Sequence, residues 1–176
     1  MNLEQLKLPE HAKDIRLNLS NLFGNVSQSG LSEYQFYGAA LAIAYSLKQA
    51  ELVAMVKEEA GDFLTPELEM AAQTAATLMA MNNLYYRFVH LADDAEFGAM
   101  PSNLRMNGLR AHGIAQQDFE LFALVVSAVN ACGLCISSHL KQLLKEGMSR
   151  TAIQTGIRLA AALNGAAQAL AIMALP

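Results

Sequence analysis

Apolar side chains recur along most of this chain at intervals of three and four residues, the spacing that gathers them on one face of an α-helix. After Thr65-Pro66-Glu67, for example, Leu68, Ala72, Ala75, Leu78 and Met79 fall on one stripe. Runs of Val, Ile, Thr and aromatic residues with period two are missing, while Ala, Leu, Met, Gln, Glu and Lys dominate. The expected fold class is all-α.

Punctuation residues divide the pattern. Pro9 suits the first turn of a helix reaching about Leu22, and Gly24 to Gly30 reads as the loop after it. Ser32 and Gln35 have capping-box spacing and open a helix to about Leu47. A third helix covers roughly Gln49 to Ala60 and ends at Gly61, and Thr65 caps a long one running towards His90. From Leu91 to Gln117 the periodicity breaks up around Asp93-Asp94, Gly98, Pro101, Asn107-Gly108 and Gly113, which predicts irregular chain or a short helix. A helix then begins near Asp118 with Glu120 in its first turn. Another spans about Ala131 to Glu146 before Gly147, and Ser149 caps the last, which extends to about Ala174.

A shift of about 85 positions lays Tyr37 to Asn83 over Phe122 to Gln168 with apolar positions in register and the caps at Thr65 and Ser149 matched. This weak internal repeat predicts two similar halves within one domain spanning residues 1–176. Leu47, Ala50 and Ala54 then occupy the places of Cys132, Cys135 and His139, so the first half is scaffold and the second carries the chemistry.

Composition narrows the picture. With 53% hydrophobic residues, 16% charged and no Trp, the chain must bury more surface than a typical domain of 176 residues, in a large core or between subunits. A net charge of -4 without a dense Lys/Arg cluster argues against nucleic acid as a partner. The first residues lack the basic start, apolar middle and cleavage site of a secretory signal, so a cytoplasmic protein is expected. Leu121 to Leu140 and Leu159 to Pro176 approach the length of a membrane span, but Ser, Asn, Gln, Cys and His interrupt them, and buried helices explain them better.

Two Cys three residues apart in a reducing compartment do not make a structural framework, which leaves redox or metal chemistry. Cys132-Gly133-Leu134-Cys135 at the start of a helix suits redox work, because unpaired backbone N–H groups there favour thiolate. His139 lies four residues after Cys135, on the same helical face, where an imidazole can take the thiol proton; that spacing singles out Cys135. Glu120 precedes Cys132 by twelve residues, about 18 Å along an unbroken helix. It can orient His139 only if the chain reverses near Asn130-Ala131, so a break between the Glu120 helix and the Cys132–Cys135 helix is a requirement of the mechanism.

Rival readings remain open at this point. Two Cys in an apolar helix can be mere small hydrophobes. Cys132, Cys135 and His139 could instead hold zinc in an interaction module, with Glu120 or His112 as a fourth ligand, although structural sites usually join Cys and His knuckles far apart in sequence. His11 and His90 are isolated, His112 could lie beside the site, Met79 and Met81 read as packing, and Tyr85-Tyr86-Arg87 could line a cleft or an interface.

The motifs together resemble the AhpD-like alkyl hydroperoxidases of the carboxymuconolactone decarboxylase-like superfamily, end to end. The resemblance rests on Phe119-Glu120-Leu121, Ser127-Ala128-Val129-Asn130-Ala131-Cys132, Cys135 and His139. Ala12-Lys13-Asp14-Ile15, Met81-Asn82-Asn83, Leu104-Arg105-Met106-Asn107 and Gly165-Ala166-Ala167-Gln168-Ala169-Leu170 extend it. It implies an all-helical homotrimer with no bound cofactor or metal and a redox-active disulfide, Cys132–Cys135. It also implies reduction of alkyl hydroperoxides and of an oxidised AhpC-type peroxiredoxin, with electrons from dihydrolipoamide on a lipoylated acyltransferase of a 2-oxoacid dehydrogenase complex. By the same resemblance Cys135 forms the sulfenic acid or mixed disulfide, Cys132 resolves it, and His139 with Glu120 relays protons. Some members carry a His between the two Cys where this chain has Gly133 and Leu134, and thioredoxin logic would make the first Cys the attacker. A decarboxylase-like relative acting by acid-base chemistry is a further alternative, one that gives no reason for two Cys at this spacing.

Overall fold

The computed structural model describes residues 2–176, and among these every regular element is helical. The α-helices are α1 (Lys13–Gly24), α2 (Glu33–Leu47), α3 (Ala50–Ala60), α4 (Pro66–Leu91), α5 (Ala95–Ala99), α6 (Gln116–Val129), α7 (Gly133–Lys145) and α8 (Arg150–Met173). Short 3₁₀ turns link several of them. α2 and α6 form the centre: α2 packs on α3, α4, α6 and α8, while α6 packs on α2, α4, α7 and α8.

Local chemistry accounts for the helix starts. Ser32 and Gln35 form a reciprocal capping box, each side chain accepting the other's backbone N–H at 3.1 Å. Thr65 Oγ1 accepts from the Leu68 N–H with Pro66 in the first turn, and Ser149 Oγ accepts from the Ala152 N–H. At the centre, Gly38 lets α2 approach closely, since a Cβ there would sit 2.6 Å from Leu68 Cδ1 and would overlap the Phe122 ring. α8 has the length and apolarity of a membrane-crossing helix, yet it lies in the core, with Gly156 against Leu121 and Val125 and Thr155 Oγ1 donating to the Ser29 carbonyl at 2.9 Å.

The two halves repeat one order of helices: 15, 11 and 26 residues in α2–α4, then 14, 13 and 24 in α6–α8.

Several expected boundaries move. Pro9 precedes a 3₁₀ turn at Glu10–Ala12 that passes into α1, and α1 runs on through Gly24 instead of stopping near Leu22. The Gly24 to Gly30 loop holds its own 3₁₀ turn, Val26–Gln28. α6 begins at Gln116, so Glu120 lies in its second turn and not its first. Asp118, near which the helix was expected to begin, lies inside its first turn and accepts a hydrogen bond from Gln35 Nε2 at 2.7 Å. α7 starts at Gly133, two residues after Ala131, with Cys132 as its N-cap.

Candidate redox-active site

The break that the site requires lies at Asn130-Ala131. α6 ends in a Schellman motif: the Ala131 N–H bonds the Ala128 carbonyl and the Cys132 N–H bonds the Ser127 carbonyl, both at 3.1 Å. Ala131 occupies the left-handed position usually given to glycine, at φ 55°. α4 holds the turn from outside. Arg87 Nη1 donates to the Asn130 carbonyl at 2.8 Å, Asn130 Nδ2 donates to Asn83 Oδ1 at 3.0 Å, and Asn83 Nδ2 donates to Ser127 Oγ at 3.0 Å. Residues from α4 thereby fix where α6 stops and α7 starts.

At the new helix start Cys132 and Cys135 are joined as a disulfide with Cα atoms 5.3 Å apart. The Cys135 N–H points at Cys132 Sγ, 3.3 Å away, so the first sulfur caps α7. The two sulfurs differ in access. Cys132 is fully buried, whereas Cys135, 7% exposed, lines a cavity of about 330 Å³. The cavity wall combines Met79, Asn82 and Tyr86 of α4 with Met106 and Leu109 of the irregular segment and Leu134, Ser138 and His139 of α7.

His139 and Glu120 meet across the break, with Nδ1 2.7 Å from Oε2 and both side chains largely shielded. Burial alone would raise the Glu120 pKa, but the His139 hydrogen bond and charge, helped by Gln116, hold the carboxyl below its ordinary value. With Nδ1–H turned to Glu120, the other ring nitrogen of His139 is the one free to take or give a proton.

Behind Glu120 the network continues. The Ile114 N–H donates to His112 Nδ1 at 3.4 Å, which leaves Nε2–H to donate to Gln116 Oε1 at 3.0 Å. Gln116 Nε2 then donates to Glu120 Oε1 at 2.9 Å. His112 is buried and stacked on Phe119 with ring centroids 4.1 Å apart. The hydrogen bonds run in one direction from a backbone amide to the carboxylate, leaving Oε2 for His139.

All four expected residues, Cys132, Cys135, His139 and Glu120, converge. His112 joins at second hand. His11 and His90 stay exposed on other surfaces. Tyr86, expected to line a cleft or an interface, lines this cavity; Asn82, Met106 and Gln116 carry no signal as site residues, because packing and long-range hydrogen bonds alone give them their places. The donors for a zinc site are spent on each other, sulfur on sulfur and His139 on Glu120, and among the described residues no group of three or more His, Cys, Asp or Glu is arranged to hold a metal ion.

The geometry is that of a helical dithiol protein, and residues 95–176 match the carboxymuconolactone decarboxylase family. Relatives match over most of the chain. Alkyl hydroperoxide reductase AhpD of Coxiella burnetii is 47% identical over 162 residues, 92% of each chain. The proteins of that name from Rhizorhabdus wittichii and Methylocella silvestris are 48% and 45% identical, covering 91% and 100% of this chain and 91% and 98% of their own. The chain belongs to the AhpD family.

Proposed function

We propose that the protein is an antioxidant dithiol enzyme that reduces alkyl hydroperoxides. The observation that carries this reading is the asymmetry of the pair: Cys135 on a cavity wall with His139 one helical turn away, and Cys132 buried behind it at the helix N-terminus. Access makes Cys135 the sulfur that meets an outside reactant, against the thioredoxin order.

In the reduced protein, Cys135 thiolate attacks the terminal oxygen of the hydroperoxide. The S–O bond forms, the O–O bond breaks, and the departing alkoxide takes a proton from His139 to leave as alcohol. Cys132 then attacks the sulfenic sulfur of Cys135, expelling the oxygen as water and closing the disulfide. For the return, one thiol of dihydrolipoamide attacks Cys135 Sγ and Cys132 departs as a thiolate favoured by the α7 N-terminus. The second thiol closes the lipoyl disulfide and frees Cys135. The electron donor in this scheme is a lipoylated acyltransferase of a 2-oxoacid dehydrogenase complex, and an AhpC-type peroxiredoxin disulfide can take the place of the hydroperoxide. The largely apolar walls given by Met79, Met106, Leu109 and Leu134 suit an alkyl chain or a dithiolane ring.

The same reading includes a cytoplasmic homotrimer. Leu84, Phe88 and Leu91 form an exposed apolar stripe on α4, and Phe97 of α5 extends it by packing edge-on to Phe88. Burial of that stripe between subunits supports association.

The test is a dihydrolipoamide-dependent assay with cumene hydroperoxide. Cys135→Ser is expected to abolish turnover, and Cys132→Ser to trap the mixed disulfide. Full activity in Cys135→Ser, or activity that survives thiol alkylation, sinks the dithiol mechanism.

A further inference from the structure

The cavity that exposes Cys135 contains a polar group for which the relay has no use. Asn82 lines it from α4, one turn after Met79 and one turn before Tyr86, and is 5% exposed. Its Oδ1 is shielded from solvent and has no hydrogen-bond partner among the described residues. The next residue, Asn83, is by contrast fully engaged with Ser127 and Asn130. Burying an amide oxygen without a partner opposes folding, and Leu would fill similar space without that penalty. A polar group kept at such a cost, beside a reactive sulfur, points to a ligand that completes its hydrogen bonds.

We propose that Asn82 contacts substrate directly, its carboxamide holding the two oxygens of the hydroperoxide while Cys135 attacks. The proposal rests on the reading of the protein as a hydroperoxide reductase. A hydroperoxide has one O–H donor and two acceptor oxygens, and a carboxamide offers both an acceptor and donors. Rotation about the last torsion of Asn is soft, so either end of the amide can turn to the cavity. Oδ1 accepts the hydroperoxide O–H, and Nδ2–H donates to the oxygen attached to carbon, where negative charge grows as the O–O bond breaks. Sulfur takes the terminal oxygen, the electron pair of the O–O bond stays on the alkoxide, and the alkoxide leaves as alcohol after protonation by His139. A dithiol has only weak S–H donors and sulfur acceptors to offer the same amide. Asn82 therefore serves the peroxide half of the cycle and not the dithiol half.

The experiment uses the full chain with Asn82→Leu and separates the two halves. Reduced protein is mixed with cumene hydroperoxide and oxidation is followed in a single turnover; the disulfide form is mixed with dihydrolipoamide and reduction is followed. The pH profile of iodoacetamide alkylation and the melting temperature are measured beside them. The expected result is a fall in the peroxide rate constant on the order of 10²-fold. Disulfide reduction and the alkylation profile stay within about twofold, and the melting temperature is unchanged or higher. Peroxide oxidation at the parental rate overturns the role of Asn82, and so does a parallel loss of both rates together with a lower melting temperature. If Asn82→Leu does not fold, Asn82→Ala is judged by the same contrast. A parent protein whose disulfide reacts with dithiols but whose thiols ignore cumene hydroperoxide overturns the hydroperoxide reading itself.

Discussion

Glu120 of α6 and His139 of α7 lie 2.7 Å apart, carboxylate to ring nitrogen, although they are nineteen positions apart in sequence and the chain reverses between them. The pair gives Glu120 a linkage to stability whose sign is fixed. Its folded-state pKa lies below the unfolded one: burial is the largest single influence and pushes upward, but the His139 hydrogen bond and charge, with Gln116 and His112, together outweigh it. Its stabilisation is thus fully present above the unfolded value, about 4.3, and is lost as pH falls through the lower folded value. Urea melts of the parent and Glu120→Gln should differ most near about pH 6 and converge towards about pH 3. A gap that widens on acidification would contradict this assignment.

Gln116 donates to the second oxygen of Glu120 and so favours its charged form. Removing that donor in Gln116→Leu should raise the Glu120 pKa and move the acid limb of the activity profile upward. The rate at the optimum should change far less than in His139→Gln, for which a loss on the order of 10²-fold is expected. Steady-state rates across pH for both variants check the ordering.

Ala131 adopts φ 55° in the Schellman turn, a conformation that disfavours any residue with a Cβ. Ala131→Gly should raise stability by about 0.5–1 kcal/mol, read from the shift in urea midpoint at constant slope. A loss of stability would mean that its methyl group packs more usefully than its exposed position suggests.

Gly38 lies where α2, α4 and α6 approach, and a Cβ there overlaps Phe122 and Leu68. Gly38→Ala should destabilise by roughly 1–3 kcal/mol through overpacking, despite the better helix propensity of Ala. Thermal melts beside an exposed control such as Gly98→Ala separate packing from propensity, since nothing lies near a Cβ at Gly98.

Legibility in the sequence followed the range of the interactions. Ser32 with Gln35, Thr65 with Pro66, and Ser149 act within one turn, and each opened its helix where its spacing indicated. The start of α6 at Gln116, ahead of the expected Asp118, bears no sequence mark, because Ala115 at its N-cap position makes no side-chain cap and Asp118 bonds Gln35 of α2. The turn at Ala131 bears no glycine, so only the need to join Glu120 to His139 pointed to it. Asn82 and Met106 are not legible as wall residues, and Tyr86 only as a possible cleft residue, since tertiary packing alone brings α4 and the irregular segment beside Cys135. Gln116 bears no mark in the sequence of its place between His112 and Glu120, which only its hydrogen bonds to both reveal.

The sulfur of Cys132 has a second duty as the cap of α7, accepting the Cys135 N–H at 3.3 Å. A thiolate is a stronger acceptor than a disulfide sulfur and is better matched to the positive end of the helix dipole. Opening the bond therefore improves the cap, and whatever the helix gains in the reduced state raises the reduction potential by the same free energy. Voltage and helix order become one quantity measured in two ways. A residue that lengthens or shortens the first turn of α7 would retune the protein as an oxidant without touching either cysteine.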